Sequence, residues 1–232
     1  MAAVKGPWLC FDTSTEMLSA AVLGRDGRLL AEVSRHAPRL HSAMLVPTIS
    51  EALRLAGVSR SDLGAAAANR GPGSYTGLRI GLAALEALRD GLGIPVYGVP
   101  GLPAAAFAQA QDGLVAPALD ARREDAFCAL YEVRDGALPR ELMEPALRRL
   151  PDFCEDLKAH GRPVLFLGDA VRAHRAILET CEYARLGTAE LRAADLGRYA
   201  LRAREEATIA DALSTAALYL RPPAVSDGRD AR

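Results

Sequence analysis

Lysine is nearly missing from this sequence: Lys5 and Lys158 are the only two among 28 basic residues. A phosphate loop of the G-x-x-x-x-G-K-[ST] type needs a lysine beside its glycines, and neither position supplies one. Cysteine is sparse too. Cys10, Cys128, Cys154 and Cys181 stand singly, without the paired spacing of a zinc site, so buried free thiols are expected. No apolar run is long enough to span a bilayer. The opening MAAVKGPWLCFD lacks the basic, apolar and small-residue order of an export signal, which leads to the expectation of a cytoplasmic chain with no membrane partner. Neither sign of charge dominates, since 28 basic residues face 29 acidic ones. A surface devoted to nucleic acid is therefore not expected.

What is present is an ordinary globular composition, half apolar and a quarter charged, over 232 residues. That length buries a sizeable core as one domain or two small ones. WLCFD, LSAAVLG and RLLAEVS are apolar runs with Gly24-Arg25-Asp26-Gly27 between the last two, which predicts three antiparallel strands within 8–34. LHSAMLVPTISEALRLAG has apolar residues at helical spacing (Leu45, Ile49, Leu53, Ala56) that Gly57 ends. LGAAAAN predicts a fourth strand, 76–92 a second helix, IPVYGV a fifth strand and 102–111 a third helix. From residue 114 the order begins again with LVAPALD, AFCALYEV, a strand near 143–147, a helix from Asp152 and the strand PVLFLG. Two such halves predict a duplicated α/β unit.

Two stretches invite a chemical reading. FDTST puts Asp12 at a strand end, ahead of Thr13 and two more hydroxyls, where a carboxylate and backbone N–H groups can hold a metal or phosphate. An Asx turn that closes the hairpin explains the same residues. NRGPGSYTGLRIG offers Gly71, Gly73 and Ser74 before a helix start, with Thr76 as the expected N-cap. It also sets Gly77, Gly81 and Ala84 in a smooth stripe on which another helix can pack, and packing is the preferred reading over anion binding. Ser74 lies in G-P-G-S, not in the G-x-S-x-G of a nucleophile elbow.

FDTST, HSAMLVP, NRGPGSYTGLRIG, LDARREDAF and YLRPP, in that order, resemble the bacterial TsaB (YeaZ) family along nearly the whole chain. Tyr75 stands where that family more often has phenylalanine. The resemblance implies an α/β fold of the actin, sugar-kinase and Hsp70 type, with two ribonuclease-H-like halves, each a mixed sheet flanked by helices. It implies halves at 1–103 and 104–221, with the last helix able to return to the first half, while the composition of RPPAVSDGRDAR itself predicts a disordered tail at 222–232. It also implies a part in forming threonylcarbamoyladenosine beside the tRNA anticodon. In that role the protein is a partner of the catalytic paralogue TsaD, with the ATPase TsaE, and meets tRNA only through the complex.

A catalytic relative needs H-x-x-x-H for its metal, and Leu45 stands where His41 would need its companion. An ATP-cleaving member needs glycines in the second half, whereas Asp120 is followed by Ala-Arg-Arg-Glu. LGDA at 167–170 is the nearest match to the nucleoside pocket. The expected site thus has no catalytic residue, metal or cofactor of its own. Asp12, Thr13, Gly73, Ser74 and Thr76 are remnants of a phosphate loop. The expected partner surface runs over Leu40, Met44, Thr48, Leu55, Gly77, Gly81 and Ala84, serving TsaD or a second copy of the chain. The alternative is an ATPase or small-molecule kinase of the same fold that uses Asp12 and the 71–77 loop.

Overall fold

The computed structural model describes residues 5–109, 111–206 and 216–220. Strands β1 (Trp8–Asp12), β2 (Met17–Leu23) and β3 (Leu29–His36) form the expected antiparallel meander. Its second turn closes where Gly24 N–H meets Arg28 O at 2.8 Å, with Gly27 in the left-handed region at φ 79. β4 (Ala65–Gly71) and β5 (Val96–Pro100) then add in parallel, giving the order β3-β2-β1-β4-β5. β1 and the alanine run of β4 are central and covered on both faces. Leu9, Phe11, Ala66 and Ala68 point to one face, Trp8, Cys10, Ala65 and Ala67 to the other.

Helices α1 (His41–Ala56) and α2 (Tyr75–Leu92) cover the first of these faces, through Leu45, Ala52 and Leu53 of α1 and Leu82 and Leu85 of α2. Each ends at a glycine in the left-handed region, Gly57 and Gly93, as helix C-termini commonly do. Ser74, rather than Thr76, caps α2: its Oγ accepts from Gly77 N–H at 3.2 Å. The cap lies two residues earlier than expected because the chain turns into the helix directly behind Gly73.

α3 (Gly101–Phe107) is shorter than the expected 102–111. The second half repeats the first: β6 (Gly113–Asp120), β7 (Asp125–Val133), β8 (Arg140–Arg149), α4 (Leu150–Leu157), β9 (Val164–Leu167), α5 (Asp169–Ala173), α6 (Arg175–Leu178), β10 (Ala184–Leu186) and α7 (Ala193–Glu205). Its sheet order, β10-β9-β6-β7-β8, read from the β8 end is the order of the first sheet. β10 was not anticipated, since three residues at a sheet edge carry no readable period.

The two remaining helices are exchanged between the halves. Leu102 and Ala106 of α3 pack with Val115, Ala129, Tyr131 and Val133 of the second sheet. Ala193, Leu196, Ala200 and Ala203 of α7 pack on Trp8, Cys10, Leu23 and Tyr97 of the first. A Cβ on Gly197 would meet Cys10 Sγ at 2.5 Å, so only glycine lets α7 sit this close. The expected division between 103 and 104 falls inside α3, and the expected tail at 222–232 lies outside the described residues.

Candidate functional site

The turn between β1 and β2 and the loop between β4 and α2 meet at one end of the first sheet. Asp12, Thr13 and Ser14 are all buried there. Asp12 Oδ1 accepts Ser14 N–H at 2.8 Å, the Asx turn. Burial pushes the Asp12 carboxyl above its ordinary range, against hydrogen bonds from Ser14 and Asn69 that favour the ionised form. Thr13 Oγ1 donates to Gly77 O at 2.8 Å, and Ser74 N–H donates to Ser14 O at 2.7 Å. Asn69 joins both sides: its Nδ2 donates to Ser14 Oγ at 3.0 Å and its Oδ1 accepts Gly71 N–H at 2.8 Å. Gly73 lies against Ser14, where an added Cβ would approach to 2.6 Å. A backbone phosphate cradle needs unspent N–H groups, and those of Ser14, Gly71 and Ser74 are spent within the chain. Of the remnant loop residues, Asp12 and Thr13 are buried and Gly73 is half-buried, while Ser74 and Thr76 remain exposed.

The glycine stripe requires a correction. Gly77 and Gly81 are buried within the subunit: an added Cβ on Gly77 would collide with Thr13 O, and one on Gly81 would come to 2.5 Å from Thr13 Oγ1. Their smoothness serves the approach of α2 to β1, not a partner. Ala84 is half-buried against the same core. On α1, Thr48 is also inside, with its Oγ1 donating to Met44 O at 2.7 Å, and Met44 is half-buried. The helix packs over both β2 and β3, so its buried arc is wider than one stripe. Leu40 and Leu55 are outside, 55% and 52% exposed, and Val46, which the spacing argument missed, is 65% exposed.

Across from the loops stands the turn after β6. Asp120 N–H donates to Asp169 Oδ1, Arg122 N–H donates to Asp120 Oδ1, and His174 Nε2 lies against that same oxygen, each at 2.8 Å. Burial lifts the Asp169 carboxyl to about 6, helped by the charges of Glu190 and Asp120. The LGDA glycine has a structural duty: Gly168, at φ 99, passes so near Ala118 O that a Cβ would collide with it. Between the two walls is a cleft of about 830 Å³, lined by Ser74, Thr76 and His41 on one side and by Asp120, Arg122 and Arg172 on the other. His41 opens α1, and Leu45, one turn on, is buried in the core. Among the described residues no three His, Cys, Asp or Glu side chains gather as a metal site, and no helix is long and apolar enough to cross a membrane. All four cysteines are buried free thiols.

Residues 33–217 match the family described as "TsaD: tRNA N6-adenosine threonylcarbamoyltransferase". The chain is 35% identical over 172 residues to the tRNA threonylcarbamoyladenosine biosynthesis protein TsaB of Bacillus subtilis, covering 74% of each. Among solved structures it is similar to YeaZ from Pseudomonas aeruginosa, with a TM-score of 0.78 and 28% identity over 93% of this chain and all of that one. Component A of (R)-2-hydroxyglutaryl-CoA dehydratase from Acidaminococcus fermentans is similar in fold alone, with a TM-score of 0.51 at 12% identity over 87% of this chain and 99% of that one. Together with the repeated strand order, these likenesses give the fold as the actin, sugar-kinase and Hsp70 type.

Proposed function

The chain belongs to the TsaB family of tRNA threonylcarbamoyladenosine biosynthesis, and from that premise we propose that it is a non-catalytic scaffold and activator subunit of the complex that makes this modification. It acts by binding TsaD, with TsaE, and reaches tRNA only through them, in the cytoplasm and without a cofactor for chemistry of its own. The observation that carries this reading is the closure of the DTST turn on the glycine loop, which spends the Ser14, Gly71 and Ser74 amides within the chain, where a backbone phosphate cradle needs free ones. The apolar exposed side of α1, through Leu40, Val46 and Leu55, supports a docking surface for TsaD or, in isolation, for a second copy.

Two measurements on purified protein test it. Mixed with the TsaD of its own source, the chain is expected to co-elute in size-exclusion chromatography, and alone it is expected to turn over neither ATP nor threonylcarbamoyl-AMP. Turnover abolished by Asp12→Asn would establish the kinase or ATPase reading instead.

A further inference from the structure

The YLRPP stretch begins at Tyr219, and the residues that lead into it lie across the glycine loop. α7 ends at Glu205 on the Trp8 and Cys10 face of the first sheet, whereas Ala217 packs on the opposite face, in the core beneath α1 and α2. Among the described residues Ala217 is the only one beyond Val96 in that core. Leu218 N–H then donates to Arg70 O at 2.6 Å, and Leu218 O passes so near Gly71 that an added Cβ would stand 2.6 Å from it. Glycine at this position, with φ 122, admits the crossing segment. Tyr219 stacks on Tyr75, the first residue of α2, with ring centroids 4.9 Å apart.

These contacts feed the network that closes the loop. Arg70 and Gly71 follow Asn69, whose side chain holds the Gly71 amide and the Ser14 hydroxyl, and precede Ser74, whose amide is bonded to Ser14 O. A hold on residues 70–71 is therefore a hold on the β1–β2 turn and on the cap of α2. Tyr75 has a second neighbour in Arg79, whose guanidinium lies 5.4 Å from the ring centroid and donates to the Tyr75 hydroxyl at 3.0 Å. The hold is light, with one backbone hydrogen bond and a ring pair in which Tyr75 is 38% and Tyr219 42% exposed. Segments secured by so few buried contacts open far more readily than the core. Both rings stay open to solvent, so the segment fixes Tyr75 without hiding it.

We propose that residues 216–220 are a releasable strap which, by fastening the glycine loop, sets the first turn of α2 in the position from which the chain docks TsaD. This rests on the scaffold reading and adds a control to it. α1 and α2 begin side by side, since Arg39, His41, Tyr75 and Thr76 all line the mouth of one cleft. A partner seated on the outer side of α1 that extends past the exposed Leu40 therefore comes to Tyr75 and Arg79. An exposed aromatic ring that is already fixed lowers the ordering cost of such a contact. The strap is a positioning element: it acts on the docking face through Arg70, Gly71 and Tyr75.

The test pairs amide hydrogen exchange of the full chain with calorimetric titration against TsaD. Leu218→Pro deletes the N–H that Arg70 O accepts, and Tyr219→Ala deletes one ring while leaving the backbone intact, so it carries the test if the proline disturbs the fold. In either variant the Ser74 and Gly77 amides should exchange about tenfold faster, with those of β1 unchanged and Tm within about 2 °C of the parent. Affinity for TsaD should fall about tenfold, and Tyr219→Phe, which keeps the ring, should restore both readouts. Exchange unaltered in both variants overturns the proposal, even if affinity falls, because Tyr219 then touches the partner itself. Affinity that rises overturns it too, since the segment then covers the docking face. A parent chain that does not bind TsaD removes the scaffold reading and this proposal with it. A parent that binds, with variants that bind equally well, overturns the proposal alone.

Discussion

Gly77 shows what a single missing side chain does. Thr13, 64 positions upstream, fills the place where its Cβ would stand, with its carbonyl against Gly77 and its hydroxyl bonded to Gly77 O. Gly77→Ala should therefore destabilise the protein by roughly 1–3 kcal/mol, despite alanine's better helix propensity. Denaturant unfolding decides it: a variant as stable as the parent would mean that α2 is free to move off β1. The spacing of Gly77, Gly81 and Ala84 was legible in the sequence as one smooth helix face. What faced it was not, because periodicity places residues on a helix without saying which distant segment lies opposite.

Asp169 offers a second test at this scale. Its carboxyl rises from 3.8 to about 6 on folding, mainly through burial. A raised acid is protonated in both states below 3.8 and costs nothing there. Stability is lost as pH climbs between those two values, and the loss is complete above about 6. Asp169→Asn keeps an oxygen for the Asp120 amide and removes the charge. It should stabilise the protein by about 1–3 kcal/mol near neutral pH, a gain that shrinks as pH is lowered toward 4. A gain equal at both ends of that range, measured by thermal unfolding, would show that burial of the charge is not its source.

At the scale of the element, α1 separates the legible from the illegible. Its span could be read from apolar spacing and from Gly57, and its caps agree within a residue. Its outward face could not, since Thr48 is polar by type yet buried, while Val46 is apolar yet mostly exposed. Packing over both β2 and β3 sets that arc, and the sequence does not record it. If this face docks TsaD, Val46→Asp should leave the isolated fold within about 0.5 kcal/mol of the parent, because the site is open to solvent. It should weaken co-elution with TsaD at least about tenfold, since a buried unpaired carboxylate is costly at an interface. Undiminished binding would move the docking surface off α1. Shorter elements escaped sequence reading for a different reason: β10 spans three residues, and α3 stops at Phe107 where an alanine-rich run suggested more.

For the molecule as a whole, duplication was legible because strand runs and turn residues recur in the same order after residue 113. The closure of the loops was not, because it depends on hydrogen bonds between segments about 60 positions apart, such as Asn69 with Ser14. The exchange of α3 and α7 reaches further, into the time course of biosynthesis. The sheet built from residues 8–100 receives one of its two coverings only when residues 193–205 have left the ribosome. Until then Trp8, stacked on Tyr97 at 5.0 Å, and the Cys10 thiol lie on a bare apolar face that invites a chaperone. Trp8 is the sole tryptophan, so its emission reports this event directly. A chain halted after residue 186 holds every strand found among the described residues, yet it should emit to the red of the full-length protein and leave Cys10 open to a thiol reagent. Blue emission with an unreactive Cys10 would mean that the nascent first sheet finds another cover before the last helix arrives.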